Sequence, residues 1–220
     1  MQELKRKYDV ILFDMDGTIA DTDQMVLRSF QELYDKFKGG QRKSDAEIYY
    51  FSGPPIKETL KKEFPEYDVD FMFQEFYKIS QAMYDETICG FPYAREAILE
   101  LKKAGIRLGV VTNKVREPAY RVLKLIHLDD DIFDLVIGFD DVKAGKPSPE
   151  GINKALEKMG YSDRSRVLYI GDNPIDDTTA KNAGVDSCIC YWGPRKLPED
   201  LAPTYKIYDY RELKGKVFYE

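Results

Sequence analysis

Short apolar runs alternate along the chain with segments whose apolar positions recur every three or four residues. Val10-Ile11-Leu12-Phe13 is the first run, and Ile106 to Val111, Leu135 to Ile137, Val167 to Ile170 and Ser187 to Trp192 follow it. Runs of this kind, bounded by glycine and polar residues, predict strands buried on both faces. Helical patterns lie between them. Ala94, Ala97, Ile98 and Leu101 form a stripe after Phe91-Pro92 that stops at Gly105. Ser148-Pro149-Glu150 supplies an N-terminal signal for Ile152, Ala155, Leu156 and Met159, up to Gly160, and Asp176 to Ala183 is followed by Gly184. The tail, Thr204 to Glu220, carries a possible edge strand.

Strand and helix in strict alternation predict an α/β fold, a doubly wound parallel sheet of Rossmann-like type. The stretch from about Thr22 to Cys89 breaks the alternation. It contains helical stripes, Val26, Phe30, Leu33 and Phe37 in one and Val69, Met72, Phe73, Phe76, Ile79 and Met83 in another, with no convincing buried strand. Asp21, Thr22 and Asp23 can cap the first of these, and Gly39-Gly40 and Ser52-Gly53-Pro54-Pro55 read as breaks between helices. The expected organisation is a core formed by residues 1–20 and 91–220, with a helical cap domain, residues 21–90, inserted into it.

The chain has 220 residues, 43% of them apolar, enough for a substantial core. Its formal charge of −6 and the lack of a long basic run argue against nucleic acid or an anionic membrane as partner. No stretch approaches the roughly 18 apolar residues of a membrane span, and Met1 to Lys7 leads towards the first strand without a signal-peptide core. A cytoplasmic location, as monomer or homodimer, is the expectation. Cys89, Cys188 and Cys190 form no C-x-x-C pair, which disfavours a disulfide framework or a thiolate metal site, and the last two suit a buried strand. His127 is the sole histidine and falls at an apparent helix end, so acid–base work rests on carboxylates and lysines.

Polar residues cluster at the predicted carboxyl ends of the strands, where open α/β sheets bind ligands. The first run delivers Asp14-Met15-Asp16-Gly17-Thr18, and the helical pattern that follows excludes a hairpin reading of Asp-Gly. The second ends in Thr112-Asn113-Lys114, a hydroxyl and backbone amides suited to a phosphate oxygen. After the third comes Gly145-Lys146-Pro147, and after the fourth Gly171-Asp172, with Asp176 four residues on. Each is an ordinary loop motif alone. In this order at successive strand ends they predict a phosphoryl-transfer site in which one lysine faces several carboxylates.

Through these four motifs the chain resembles the haloacid-dehalogenase-like hydrolases, and among them the phosphoglycolate phosphatase-like members with a helical cap. The resemblance implies Asp14 as nucleophile, forming an aspartyl-phosphate, and Asp16 as general acid and base. It implies Mg²⁺ held by Asp14, the Asp16 carbonyl and Asp172, with Asp176 orienting metal waters or Lys146. Thr112, Asn113 and Lys146 would hold the phosphoryl group together with Asp14. An acid at position 16 is implied to favour phosphoryl transfer over carbon–halogen cleavage.

The expected activity is hydrolysis of a small phosphorylated metabolite, phosphoglycolate first among the candidates. Pyrophosphate hydrolysis and sugar phosphomutase activity share the motifs, although Thr18 resembles the phosphatases more. A non-enzymatic receiver module also clusters aspartates and a lysine on such a sheet, but would lack the cap. Lys57, Arg42, Lys43 and Arg116 are the basic residues from which a contact to an anionic leaving group would be drawn.

Overall fold

The computed structural model describes residues 5–129 and 131–219. Met1 to Leu4, part of the amino-terminal reading above, and Glu220 of the tail lie outside the described residues.

The chain runs β1 (Val10–Phe13), β2 (Ala20–Asp21), α1 (Asp23–Phe37), α2 (Asp45–Ile48), α3 (Ile56–Glu63), α4 (Val69–Thr87) and β3 (Cys89–Gly90). It continues through α5 (Ala94–Lys103), β4 (Arg107–Val111), α6 (Arg116–Leu125), β5 (Leu135–Ile137), α7 (Glu150–Met159) and β6 (Val167–Gly171). The last elements are α8 (Pro174–Ala183), β7 (Asp186–Cys190), β8 (Tyr205–Ile207) and α9 (Leu213–Val217). Among the described residues β5-β4-β1-β6-β7-β8 form a sheet in that order, every pairing parallel.

β1 shows why its residues make a central strand. All four are fully buried, and alternate side chains leave opposite faces: Ile11 and Phe13 join the larger core with Ile98 of α5 and Val122 of α6, while Val10 and Leu12 pack with Ile152 and Leu156 of α7 and Ala180 of α8. Burying each such side chain contributes about 1.5–3 kcal/mol. Phe13 is in register with Val110 on one side and Ile170 on the other. The chain thus leaves β1 at the point where the winding reverses, between the ends of β4 and β6.

The segment between β1 and α5 folds as helices, α1 packing on α4 and α4 on α3. Phe30 is the hub, its ring 4.7 Å from that of Phe51 and 5.5 Å from that of Phe76. Three details depart from the expected pattern. β2 and β3 pair antiparallel at the entry and exit of the helical segment. At two residues each they are too short to leave an alternation in the sequence, and Cys89 is exposed. Thr22 precedes α1 without a side-chain cap; Asp21 instead accepts a hydrogen bond from the Asp23 amide at 3.1 Å. α8 starts at Pro174, two residues earlier than expected, with Asn173 as its N-cap.

The tail does more than supply the edge strand β8. The hydroxyl of fully buried Tyr210 donates to the Thr18 carbonyl at 3.0 Å, fastening the loop after β1. Cys188 and Cys190 are buried in β7. His127 sits at a left-handed turn after α6, away from the strand ends described next.

Candidate active site

Asp14 follows β1 directly, its amide donating to the Ile170 carbonyl of β6 at 2.8 Å. Its side chain is buried between two lysine-bearing and acid-bearing loops. Lys146, after β5, brings its Nζ to 2.8 Å from Asp14 Oδ1 and donates to Asp176 Oδ1 at 2.6 Å. The contact to Asp14 is an ion pair that falls short of hydrogen-bond alignment, so Asp14 Oδ1 is a buried oxygen with no hydrogen-bond donor. Burial alone would drive the Lys146 pKa down; the flanking carboxylates of Asp14 and Asp176 more than reverse this and hold it charged.

Asp176 is committed to holding other groups. Its Oδ2 accepts from the amides of Asp172 (3.2 Å) and Asn173 (3.0 Å), and its Oδ1 accepts from Lys146 and, at 3.4 Å, from the Tyr169 hydroxyl. This fold-back needs Gly171, where a Cβ would stand 2.3 Å from the Asp176 carboxyl carbon. Asp172 in turn accepts from Thr18 Oγ1 at 3.3 Å.

One carboxylate oxygen from each of Asp14, Asp172 and Asp176 can be chosen so that all lie within 4.8 Å of one another. Burial pushes the pKa values of Asp14 and Asp172 up to about 6, against the pull of Lys146 and Arg195 respectively. A buried set of hard oxygen donors of this kind fits a small divalent cation. Asp14 is the least engaged member of that set: both Asp176 oxygens accept hydrogen bonds, and Asp172 accepts through one oxygen from Thr18 and through the other from Arg195. The carboxylate of Asp16 stands outside the group, its Oδ2 3.1 Å from Lys114 Nζ. Gly17 has φ +83°, and a Cβ there would meet Asp172 Oδ2 at 2.4 Å, so the turn after Asp16 requires glycine.

Thr112, nearly buried, accepts through Oγ1 from the Lys114 amide at 3.2 Å. Asn113 ties loops together: its Oδ1 accepts from the Lys146 amide at 2.8 Å, and its Nδ2 donates to the Gly53 carbonyl of the helical segment at 2.9 Å. Asp14, Asp16, Thr112 and Asn113 all line a cavity of about 300 Å³ between the strand ends and α1, α3 and α4. Of the basic candidates, Lys57 lines this cavity. Arg42, Lys43 and Arg116 pair instead with Asp35, Glu47 and Asp141 on the surface.

Two residues at the site carried no expectation. Lys114 was in plain sight beside Thr112-Asn113 and holds Asp16. Arg195, in the loop after β7, is buried; it pairs with Asp172 and, at 2.7 Å, with Asp23 at the start of α1, and it donates to the Tyr49 carbonyl at 3.2 Å. The signal for Arg195 is the same positional one that marks the other loops, applied to a fifth strand end.

The description of the haloacid dehalogenase-like hydrolases matches residues 11–190. A Bacillus velezensis protein called pyrophosphatase PpaX is 35% identical over 187 residues, 85% of each chain. The Oceanobacillus iheyensis protein of the same name is 30% identical over 205 residues, 92% of this chain and 94% of that one. Among solved structures, a Bacteroides fragilis protein described as a haloacid dehalogenase-like hydrolase is 28% identical and superposes with a TM-score of 0.84, covering 94% of this chain and all of that one. With a family match across most of its length, the chain belongs to the haloacid dehalogenase-like hydrolases.

Proposed function

We propose that the protein is a Mg²⁺-dependent phosphatase that hydrolyses a small phosphorylated metabolite through an aspartyl-phosphate on Asp14. The observation that carries this reading is the buried Asp14 carboxylate at the cavity wall, with Lys146 Nζ 2.8 Å from its Oδ1. A carboxylate so placed, paired with one lysine and facing the cavity, can attack a phosphoryl group seated there.

Asp14 attacks phosphorus, and the bond to the leaving oxygen breaks while Asp16 gives that oxygen a proton. Water then attacks phosphorus, Asp16 takes its proton, and inorganic phosphate leaves with Asp14 restored. Lys114 positions the Asp16 carboxylate through their 3.1 Å ion pair. Thr112, the amides around Asn113 and Lys146 hold the phosphoryl oxygens in line. Asp176 keeps Lys146 oriented between the two carboxylates. Mg²⁺, held by Asp14 and Asp172 with the Asp16 carbonyl, would offset the repulsion between carboxylate and phosphoryl group. The helices α1 to α4 serve as the cap that excludes water and selects the leaving group.

The names of the relatives support pyrophosphate as a second substrate reading. Release of phosphate from phosphoglycolate, pyrophosphate and other phosphate esters, with and without Mg²⁺ and with Asp14→Ala as control, tests the activity. Mg²⁺-dependent release that Asp14→Ala abolishes supports the reading; equal release by that variant contradicts it.

A further inference from the structure

The wall of the cavity opposite Asp14 is built for a different leaving group from those the relatives' names suggest. Phe51, Ile56, Phe73, Phe76 and Tyr77 face it from the helical side and Pro118 from α6. At about 300 Å³ the space reaches the lower end of the roughly 300–1,000 Å³ range of sites that enclose organic ligands. A second phosphate or a carboxylate seated there needs charged donors, because an anion transferred to an apolar wall without them is strongly disfavoured.

The charged donors among the lining side chains are already paired. Among the described lining residues the ammonium groups are those of Lys57 and Lys114. Lys114 is held by Asp16, and Lys57 is half-exposed, pairs with Asp70 at 2.6 Å and stands 5.0 Å over the Phe73 ring. Ser80 gives its hydroxyl proton to the Tyr77 carbonyl at 3.0 Å, and the Tyr77 hydroxyl donates to Glu117 at 3.3 Å. The Asn113 amide is spent on Gly53 and Lys146. Besides the hydroxyls of Ser52 and Tyr84, what remains facing the leaving group is ring and methyl surface.

We infer that the substrate is a phosphate monoester of an uncharged, apolar, ring-bearing alcohol, the ring lying against Phe73 and Ile56 and the phosphoryl group at Asp14. This rests on the phosphatase reading above and narrows it. The bond broken is the same one, with the ring-bearing alcohol released in protonated form. Pyrophosphate and phosphoglycolate become poor substrates because each carries a second anion into the apolar wall.

The test is kcat/KM with Mg²⁺ for benzyl phosphate, ethyl phosphate, phosphoglycolate and pyrophosphate. Benzyl and ethyl phosphate release alcohols of similar acidity, so their ratio reports contact with the wall rather than leaving-group chemistry. Benzyl phosphate is expected to exceed each of the others at least tenfold. Phe73→Ala, and independently Ile56→Ala, should reduce the benzyl-to-ethyl ratio severalfold, a readout that reduced folding alone would not move. Pyrophosphate or phosphoglycolate as the fastest substrate, or equal rates for benzyl and ethyl phosphate, overturns the inference while leaving the phosphatase reading intact. No Mg²⁺-dependent phosphate release from any of the four contradicts the phosphatase reading, and the inference falls with it.

Discussion

Lys146 and Asp14 meet at 2.8 Å in a fully buried ion pair although they belong to loops after β5 and β1, strands that do not touch in the sheet. β4 lies between them, and Asn113 at its end bridges the gap by accepting from the Lys146 amide. Position in the sheet, backbone tether and charge thus converge on one carboxylate. Lys146 is also the only cation within reach of Asp176 among the described ion pairs.

Replacing Lys146 by methionine should therefore cost far more than a surface ion pair. Two buried carboxylates would be left without their counter-charge, a loss of about 3–5 kcal/mol when a buried pair is broken from one side. Urea unfolding in the absence of Mg²⁺ measures it. A change within about 0.5 kcal/mol would mean that the carboxylates are neutral or solvated in the folded protein.

Asp16→Asn should separate binding from turnover. The Asp16 carboxylate contacts Lys114 and lies outside the Asp14, Asp172, Asp176 group, so Mg²⁺ affinity by calorimetry should change little. The rate should fall by roughly 10²–10⁴, the usual contribution of a positioned acid–base group. Near-wild-type kcat would remove Asp16 from the chemistry.

Mg²⁺ binding should depend on pH with a known sign. Burial raises Asp14 and Asp172 to about 6, and a cation binds their ionised forms. Affinity should plateau above that pH and fall as pH drops through it, with protons released on binding below neutrality. Titrations in buffers of different ionisation enthalpy count those protons. An affinity unchanged between pH 7 and pH 5 would contradict the assignment of these carboxylates.

A second pH effect lies far from the site. Arg166 donates two hydrogen bonds to Asp9, at 2.6 and 2.8 Å, and holds its carboxyl down at about 2. With the folded pKa below the unfolded value, this stabilisation is present above pH 4 and is lost as pH falls from about 4 towards 2. After discounting for partial exposure it is on the order of 1 kcal/mol. Asp9→Asn should lower stability by that amount at pH 7 and converge with the wild type near pH 2, as followed by chemical denaturation.

The parallel sheet was legible because each buried strand is an apolar run, and the strand ends were legible because their polar residues are few. β5, at three residues, was found at its observed bounds for that reason. The β2–β3 pair was not, since two-residue strands carry no period and are specified by the helices they bracket. Lys114 and Arg195 were missed for a different cause. A lone basic residue in a loop has no local signature, and only the contacts with Asp16, Asp23 and Asp172 give these two a role. The cavity wall was half-legible: the helical stripe carries Phe73 and Phe76, and Phe76 packs on Phe30, but that both rings also line the cavity shows only in the structure.

On the mechanism proposed above, Asp14 carries the phosphoryl group during turnover. Acid quenching in the steady state with Mg²⁺ and the fastest substrate, followed by borohydride reduction and peptide mass spectrometry, converts an aspartyl-phosphate to homoserine at the residue that bore it. Homoserine is expected at position 14, absent without substrate and absent in Asp14→Ala. Turnover with Asp14 unmodified, or with the modification on another aspartate, would contradict it.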